Sequence, residues 1–352
     1  MRKKSRHPAR HRPATLKDVA RELGLSVATV SRAIAKPDML RPATAVRVHE
    51  AVNRLGYRPN IAAQNLKRGN TGIIYVVVPS LSPFFSELFR GAERAALERG
   101  YSIVMGHTDR RPDRESEYFD KVSGGRGDGI LLVSTAEAVT TVNHTRKPPP
   151  IVAVLDPVVN QDFPSVRIDH AQGAMIAISH LTALGHRQIA HITGPARSPA
   201  AIHRRDGYLA ALSAVGITGG EESCVPGEFT VASGETAMAS LLTRPKRPTA
   251  IFCANDEIAV GAIRAIKTAG LRVPEDISVM GFDDQRIASM YDPPLTTIHV
   301  PIIDLGYNAM VKLARILAGE AYEKDLVLNT FLVQRSTTGR PAKKLEIQRQ
   351  SP

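Results

Sequence analysis

Between residues 71 and 338 short apolar runs alternate with stretches of helical periodicity, and this alternation narrows the fold more than any other property of the chain. The runs fall at residues 73–78, 102–105, 130–133, 151–155, 189–192, 250–253 and 277–280, and the helical intervals between them end in Gly100, Gly216 and Gly270. Strands that alternate with helices pair in parallel, because each crossover helix returns the chain to the same end of the sheet and covers a face. The length suits two such lobes. In open parallel sheets ligands lie beyond the carboxyl ends of the strands, so the polar residues that follow them are the first candidates for a site: Pro79 and Ser80, Asp156, Asn255 and Asp256, and Asp283.

Charge divides the chain differently. Of 46 Lys+Arg and 34 Asp+Glu in 352 residues, residues 1–70 hold 16 and 4, leaving 30 of each for the remainder. The whole excess of +12 therefore sits in the first fifth, which has one aromatic residue, Tyr57. A neutral body carrying a basic N-terminal module predicts a polyanionic partner such as nucleic acid or an anionic membrane. Two cysteines, Cys224 and Cys253, are too few for a disulfide framework. No apolar segment follows the basic N-terminus, and no apolar run approaches the roughly 18 to 20 residues of a membrane span. The expectation is a soluble, cytoplasmic protein with no membrane partner.

Within the basic module, Thr15 and Asp18 have capping-box spacing, and Leu16, Val19, Ala20 and Leu23 fall on one helical face that Gly24 ends. Ser26 is placed to cap a second helix with Val30 and Ile34 inward, and Pro42 begins a third that carries Val48, Val52 and Leu55 and stops at Gly56. Two short helices joined at Gly24 and Leu25 make a helix-turn-helix, whose second helix enters the major groove of DNA. Thr29 and Arg32 are then the polar readers, Arg32 through guanine, while Val27 and Ala28 offer apolar contact to thymine methyls. Lys17, Ser26, Ser31 and the basic arm of residues 2–12 are assigned to phosphates. The competing reading is a three-helix domain with an ordinary solvated face; the charge segregation argues against it. Residues 60–69, opened by Asn60, form a helix-capable segment too short to be stable alone. Docked in a minor groove it would use Leu66 as a wedge, Ala62 and Ala63 for close helix approach, and Lys67 and Arg68 on phosphates. The alternative is a plain linker.

These residues resemble the lac-repressor (LacI/GalR) family of bacterial transcription regulators. Residues 15–20 (TLKDVA) and 25–32 (LSVATVSR) look like its N-terminal signature, and 56–60 (GYRPN) with Leu66 looks like its hinge. The similarity continues through residues 83–86, 129–132, 184–187, Gly194 and Pro195, Asn255 and Asp256, 281–283 and 293–298. Residues 65–68, Val78 and Pro79, and 84–87 look nearest to cytidine-repressor-like and ribose-repressor-like members. Ala35 and Ala45 depart from the family pattern at positions where asparagine and arginine are common, and the tail after Thr338 has no leucine heptads, so a homodimer is expected.

The resemblance implies an α/β chain with a flexible arm (1–14), a helix-turn-helix domain (15–59), a hinge helix and linker (60–70), and a two-lobed periplasmic-binding-protein-like core of parallel sheets (71–338). A flexible tail (339–352) follows. Lobe 1 spans about 71–168 and 298–326, lobe 2 about 169–297 and 327–338, with the chain crossing near Asp169, near 294–298 and near Leu326. By the same resemblance Arg204 matches the effector-binding arginine, Asp283 matches the carboxylate that bonds effector hydroxyls, and Phe85 and Phe229 match aromatic positions against the ligand. Phe84, Asp156, Asn255 and Asp256 complete the expected effector set. Such a clamp suits a hydroxylated ring: a pentose, a hexose or a nucleoside. Core packing of the phenylalanines and a structural Arg204–Asp283 ion pair are the competing readings.

Catalytic and cofactor chemistry finds no support in the motifs. The sequence has no Walker A loop, no G-x-G-x-x-G after the first strand and no G-x-S-x-G elbow. The glycine-rich residues 124–129 precede a strand and read as a turn. His180, His186 and His191 match no zinc spacing, and His7 and His11 belong to the basic arm. The expectation is a non-enzymatic, effector-responsive repressor that binds a near-palindromic double-stranded operator as a homodimer, with no cofactor or metal. A periplasmic solute-binding protein and a sugar- or nucleoside-processing enzyme are the rivals from other classes.

Overall fold

The computed structural model describes residues 14–35, 40–58, 70–133, 149–158 and 161–342. The chain divides into two compact units, Met1–Thr71 and Gly72–Pro352.

The first unit contains three helices, Leu16–Leu23, Val27–Ala35 and Pro42–Leu55. Each starts and stops where its local chemistry requires. The Thr15 backbone N–H and hydroxyl both donate to the Asp18 carboxylate, at 2.9 and 2.6 Å, and Gly24 closes that helix at φ 66°. The Thr29 N–H donates to Ser26 Oγ at 3.0 Å, which begins the second helix. Val19, Ala20, Val30, Ala33, Val48 and Ala51 are buried together, with Leu16, Leu23, Leu25, Leu55 and Tyr57 around them. Arg54 Nε donates to Glu22 Oε1 at 2.9 Å and ties the third helix to the first.

The second unit contains two parallel sheets and a small antiparallel pair. Strands β1 (Ile73–Val78), β2 (Ser102–His107), β3 (Gly129–Leu132), β4 (Ile151–Leu155), β5 (Ser165–Ile168) and β11 (Asp325–Leu328) form one sheet in the order β11-β5-β4-β3-β1-β2. Strands β6 (Ile189–Ile192), β7 (Cys224–Val225), β8 (Ala250–Cys253) and β9 (Ser278–Met280) form the other, in the order β7-β6-β8-β9. Strands β10 (Thr297–His299) and β12 (Phe331–Val333) pair antiparallel where the chain passes between the lobes. Strands β3, β4, β6 and β8 are buried throughout on both faces, which is why they read as unbroken apolar runs. An apolar core runs from Ile74, Val76 and Leu131 in the first lobe through Ala174, Ile178 and Leu181 to Tyr208, Phe252 and Phe282 in the second.

Two boundaries differ from expectation. Val327 and Leu328 pair in register with Arg167 and Ile168, so they belong to the first lobe, and the third crossing falls after Leu328, two residues past the expected neighbourhood of Leu326. Gly339 is not part of a loose tail, because its carbonyl accepts from His186 Nε2 at 2.8 Å and its N–H donates to Ser278 Oγ at 3.0 Å. The hinge residues Asn60, Ala63, Leu66 and Lys67 and the arm of residues 2–12 lie outside the described residues.

Candidate functional site

In each sheet of the second unit the strand order reverses once, between β1 and β3 and between β6 and β8. Carboxyl ends of strands at such reversals are splayed apart by connections that leave in opposite directions, and a crevice results. Both reversals open on one cavity of about 810 Å³. Its lining comes from the ends of β1 (Pro79, Ser80), β3 (Val133), β4 (Leu155, Asp156) and β8 (Asn255), and from Pro195 after β6 and Asp283 after β9. Two of these residues have left-handed backbones, Leu155 at φ 76° and Asp283 at φ 105°. Strained conformations of non-glycine residues persist where surrounding structure fixes them, and they concentrate at ligand sites.

Arg204 is central to the polar wall. It is 3% exposed and sits on helix Pro199–Ala214. Its Nη2 donates to Asp283 Oδ1 at 3.0 Å, its Nη1 to the Ala254 carbonyl and its Nε to His170 Nδ1 at 3.2 Å. The guanidinium carbon lies 3.8 Å from the centre of the Phe282 ring, a cation–π contact at a buried position. Gly207 makes this geometry possible: a Cβ there would lie 2.3 Å from the Ala171 carbonyl oxygen, so only glycine lets this helix approach the one that begins at His170. Burial pushes the Asp283 carboxyl up to about 6, against the opposing pull of Arg204.

Asn255 caps helix Asp256–Thr268 by accepting the Ile258 N–H on Oδ1 at 2.9 Å, and no acceptor among the described residues takes its Nδ2. Asp156 has His170 Nε2 3.4 Å and His203 Nδ1 3.6 Å from the same carboxylate oxygen. Burial opposes its charge, but the two imidazoles outweigh that and hold it below the usual carboxylate range. Phe84 and Phe85 meet edge to face at 5.3 Å between centres, and both line the cavity with Phe229. The Phe229 ring occupies the space a side chain at Gly194 would take, with the missing Cβ 2.4 Å from a ring carbon. Arg110 and Glu228 approach to 4.0 Å across the two lobes at exposed positions.

Phe84, Phe85, Asp156, Arg204, Phe229, Asn255 and Asp283 are therefore brought together. Asp256 is not. It is fully buried outside the lining, where its carboxylate accepts from Thr297 Oγ1 at 2.6 Å and the Gln285 N–H at 2.7 Å. Burial raises its pKa well above the usual value. It fastens the loop after β9 to helix Asp256–Thr268, a structural duty. His170, Glu257 and Gln285 line the cavity without having been read from the sequence. His170 directly follows Asp169, the residue at which a crossing is expected, and that adjacency was the only signal available.

His180, His186 and His191 are structural. His186 bridges Thr249 Oγ1 and Gly339, His180 meets Thr338 Oγ1, and His191 stacks on Phe252 at 4.8 Å. No group of metal-binding side chains occurs among the described residues.

In the first unit Lys17, Ser26, Val27, Ala28, Ser31 and Arg32 are exposed and Thr29 is half-buried. Thr29 Oγ1 lies 2.8 Å from Ser26 Oγ, so these two hydroxyls share a hydrogen bond at the helix start.

A helix-turn-helix and a two-lobed, cleft-bearing α/β body define a ligand-responsive DNA-binding regulator. Residues 15–60 match the family model for bacterial regulatory proteins, lacI family, and residues 178–338 match that for the periplasmic binding protein-like domain. The chain is 38% identical over 309 residues to the HTH-type transcriptional repressor CytR of Escherichia coli (strain K12), covering 87% of this chain and 91% of that protein. It is 37% identical over 328 residues to the ribose operon repressor of the same strain, covering 92% and 99%. A crystal structure of the lac repressor dimer bound to operator and the anti-inducer ONPF superimposes with a TM-score of 0.84 at 31% identity, covering 93% of this chain and all of that one. The chain belongs to the lacI family of bacterial regulatory proteins. It is a transcription regulator and not an enzyme.

Proposed function

We propose that this protein is a cytoplasmic homodimeric repressor whose affinity for a near-palindromic operator is set by a small hydroxylated ring, a sugar or a nucleoside, bound in the cleft between the lobes. The observation that carries this reading is the convergence of Arg204, Asp283, Asn255 and Asp156 with Phe84, Phe85 and Phe229 on one cavity at the carboxyl ends of both sheets. Aromatic faces take the apolar faces of a ring, while fixed donors and acceptors take its hydroxyls. The Arg204 guanidinium has five N–H groups and commits three to protein partners, so two are left for a ligand.

For the DNA, Thr29 and Arg32 read bases, Val27 and Ala28 supply apolar contact, and Lys17, Ser26 and Ser31 hold phosphates. Asn60, Ala63, Leu66 and Lys67 form the hinge contact in the minor groove. A lac repressor dimer has been captured on its operator, and the likeness of the two chains over nearly their full lengths supports the same stoichiometry here. Among the described residues no helix is long and apolar enough to cross a membrane.

Thermal unfolding of the full-length protein with D-ribose, D-glucose, adenosine and cytidine tests the effector reading. A ligand near a hundred times its Kd stabilises the native state by about 2.7 kcal/mol. At least one of these compounds should raise the midpoint in the native protein and none in Arg204→Gln. Equal shifts in both would place the ligand elsewhere.

A further inference from the structure

Arg204 and Asp156 stand on different lobes of the body, and His170, the first residue of helix Pro199–Ala214's partner helix His170–Ala183, touches both. His170 is 3% exposed, and its ring centre lies 6.2 Å from that of Phe282, the ring on which Arg204 also rests, at an interplanar angle of 29°. An arginine Nε only donates, so His170 Nδ1 must be the accepting, unprotonated nitrogen. A neutral ring so constrained carries its proton on Nε2. That nitrogen is buried with no formed hydrogen bond, 3.4 Å from Asp156 Oδ1. A buried donor left unsatisfied is costly, by about 1–3 kcal/mol in general. The gap to Asp156 is therefore a place where a small movement of one lobe against the other makes or breaks a bond.

We infer that His170 is the positioning residue of the cleft: as a neutral imidazole protonated on Nε2 it holds Arg204 against Asp283 on one lobe and offers that proton to Asp156 on the other, so that occupancy at Arg204 is felt at Asp156. This rests on the effector reading given above. Burial lowers the basicity of His170 against the opposing pull of Asp156, and the neighbouring Arg204 charge adds to the lowering. The charged and titratable groups around it are Asp156, Arg204 and His203. His203 is exposed, and its hydrogen bond to the same Asp156 raises its pKa.

The test uses the full-length protein in two arms. Nitrogen NMR of the protein labelled with ¹⁵N-histidine, with the resonances assigned by their loss in His170→Gln, reports the tautomer without any ligand. The neutral Nε2–H form at pH 7 is expected; an Nδ1–H tautomer or an imidazolium overturns the inference. The second arm measures binding of D-ribose and cytidine to native protein, His170→Gln and His170→Phe. Glutamine keeps one acceptor and one donor and should stay within about threefold of native affinity, whereas phenylalanine, which keeps the ring and loses both, should weaken binding about tenfold or more. Native affinity in a cooperatively folded His170→Phe protein overturns the inference. Binding of neither compound by the native protein counts against the sugar or nucleoside reading, and the tautomer measurement then decides His170 alone.

Discussion

Arg204 and Asp283 form an ion pair at 3.0 Å with both side chains almost wholly out of water, one on the helix after β6 and the other on the loop after β9. A buried pair is weak evidence for stability, but removing one partner strands the other charge, at a cost of about 3–5 kcal/mol. Arg204→Ala should therefore both destabilise the body and abolish the ligand response, with Asp283 keeping its proton to higher pH. Urea unfolding and ligand titration of the same preparation check the two effects, and a retained response would remove Arg204 as the effector anchor.

His191 provides a pH prediction whose sign is fixed. Burial lowers its pKa to about 4 from an ordinary value near 6.5. Between these values the unfolded chain binds the proton and the native protein does not, so stability is complete above about pH 6.5 and falls as the pH drops toward 4. The full effect is of order 3 kcal/mol. Asp283, raised to about 6, acts oppositely over an overlapping range, because there the native state holds the proton. The difference between native protein and His191→Phe cancels the Asp283 contribution. Urea denaturation at pH 7 and pH 5 should show the native protein losing stability relative to the variant on acidification, and a constant difference would contradict a buried neutral His191.

Gly207→Val should be more damaging than its small volume suggests. Even the first carbon of a side chain would sit 2.3 Å from the Ala171 carbonyl, so the two helices that carry Arg204 and His170 must separate. Overpacking of this kind costs about 1–3 kcal/mol. Ligand affinity should fall with stability, since the Arg204–His170 bond at 3.2 Å depends on that approach. A variant with native affinity and native urea midpoint would show that the helices tolerate the added bulk.

In the DNA-binding unit, Ser26→Ala removes the acceptor for the Thr29 N–H and should destabilise the second helix by about 1 kcal/mol. Arg32→Ala leaves the three-helix core untouched, because Arg32 is exposed. It should weaken specific binding by about 1–3 kcal/mol and non-specific binding far less. Competition titrations at fixed salt against operator and random DNA separate the two, and equal losses would remove Arg32 from the base readers.

What the sequence disclosed and what it hid follow from the range of the interactions. Unbroken apolar runs such as 151–155 and 250–253 announce themselves because both faces of those strands are buried. The caps at Thr15, Gly24 and Ser26 are legible because each acts within four residues. Strands β10 and β12 are three residues each and pair across the crossing, Thr297 with Val333, so no local pattern marks them. Asn255 and Asp256 look equivalent after β8. Only the contacts of Asp256 with Gln285 and Thr297 show that one caps a helix beside the cleft while the other is sealed beneath it. Apart from its adjacency to Asp169, His170 is hidden for the same reason, since its partners lie on β4's carboxyl end and on a helix more than thirty residues away.

The central claim is operator recognition under effector control, and selection of bound sequences from a randomised DNA pool addresses it most directly. The selection uses full-length protein at a stated, near-physiological salt concentration, since electrostatic affinity varies steeply with salt. It is run alone and again with ribose, glucose, adenosine and cytidine. The account predicts enrichment of a near-palindrome with two half-sites about one helical turn apart, altered in yield by at least one of the compounds. No enrichment under any of these conditions would contradict it.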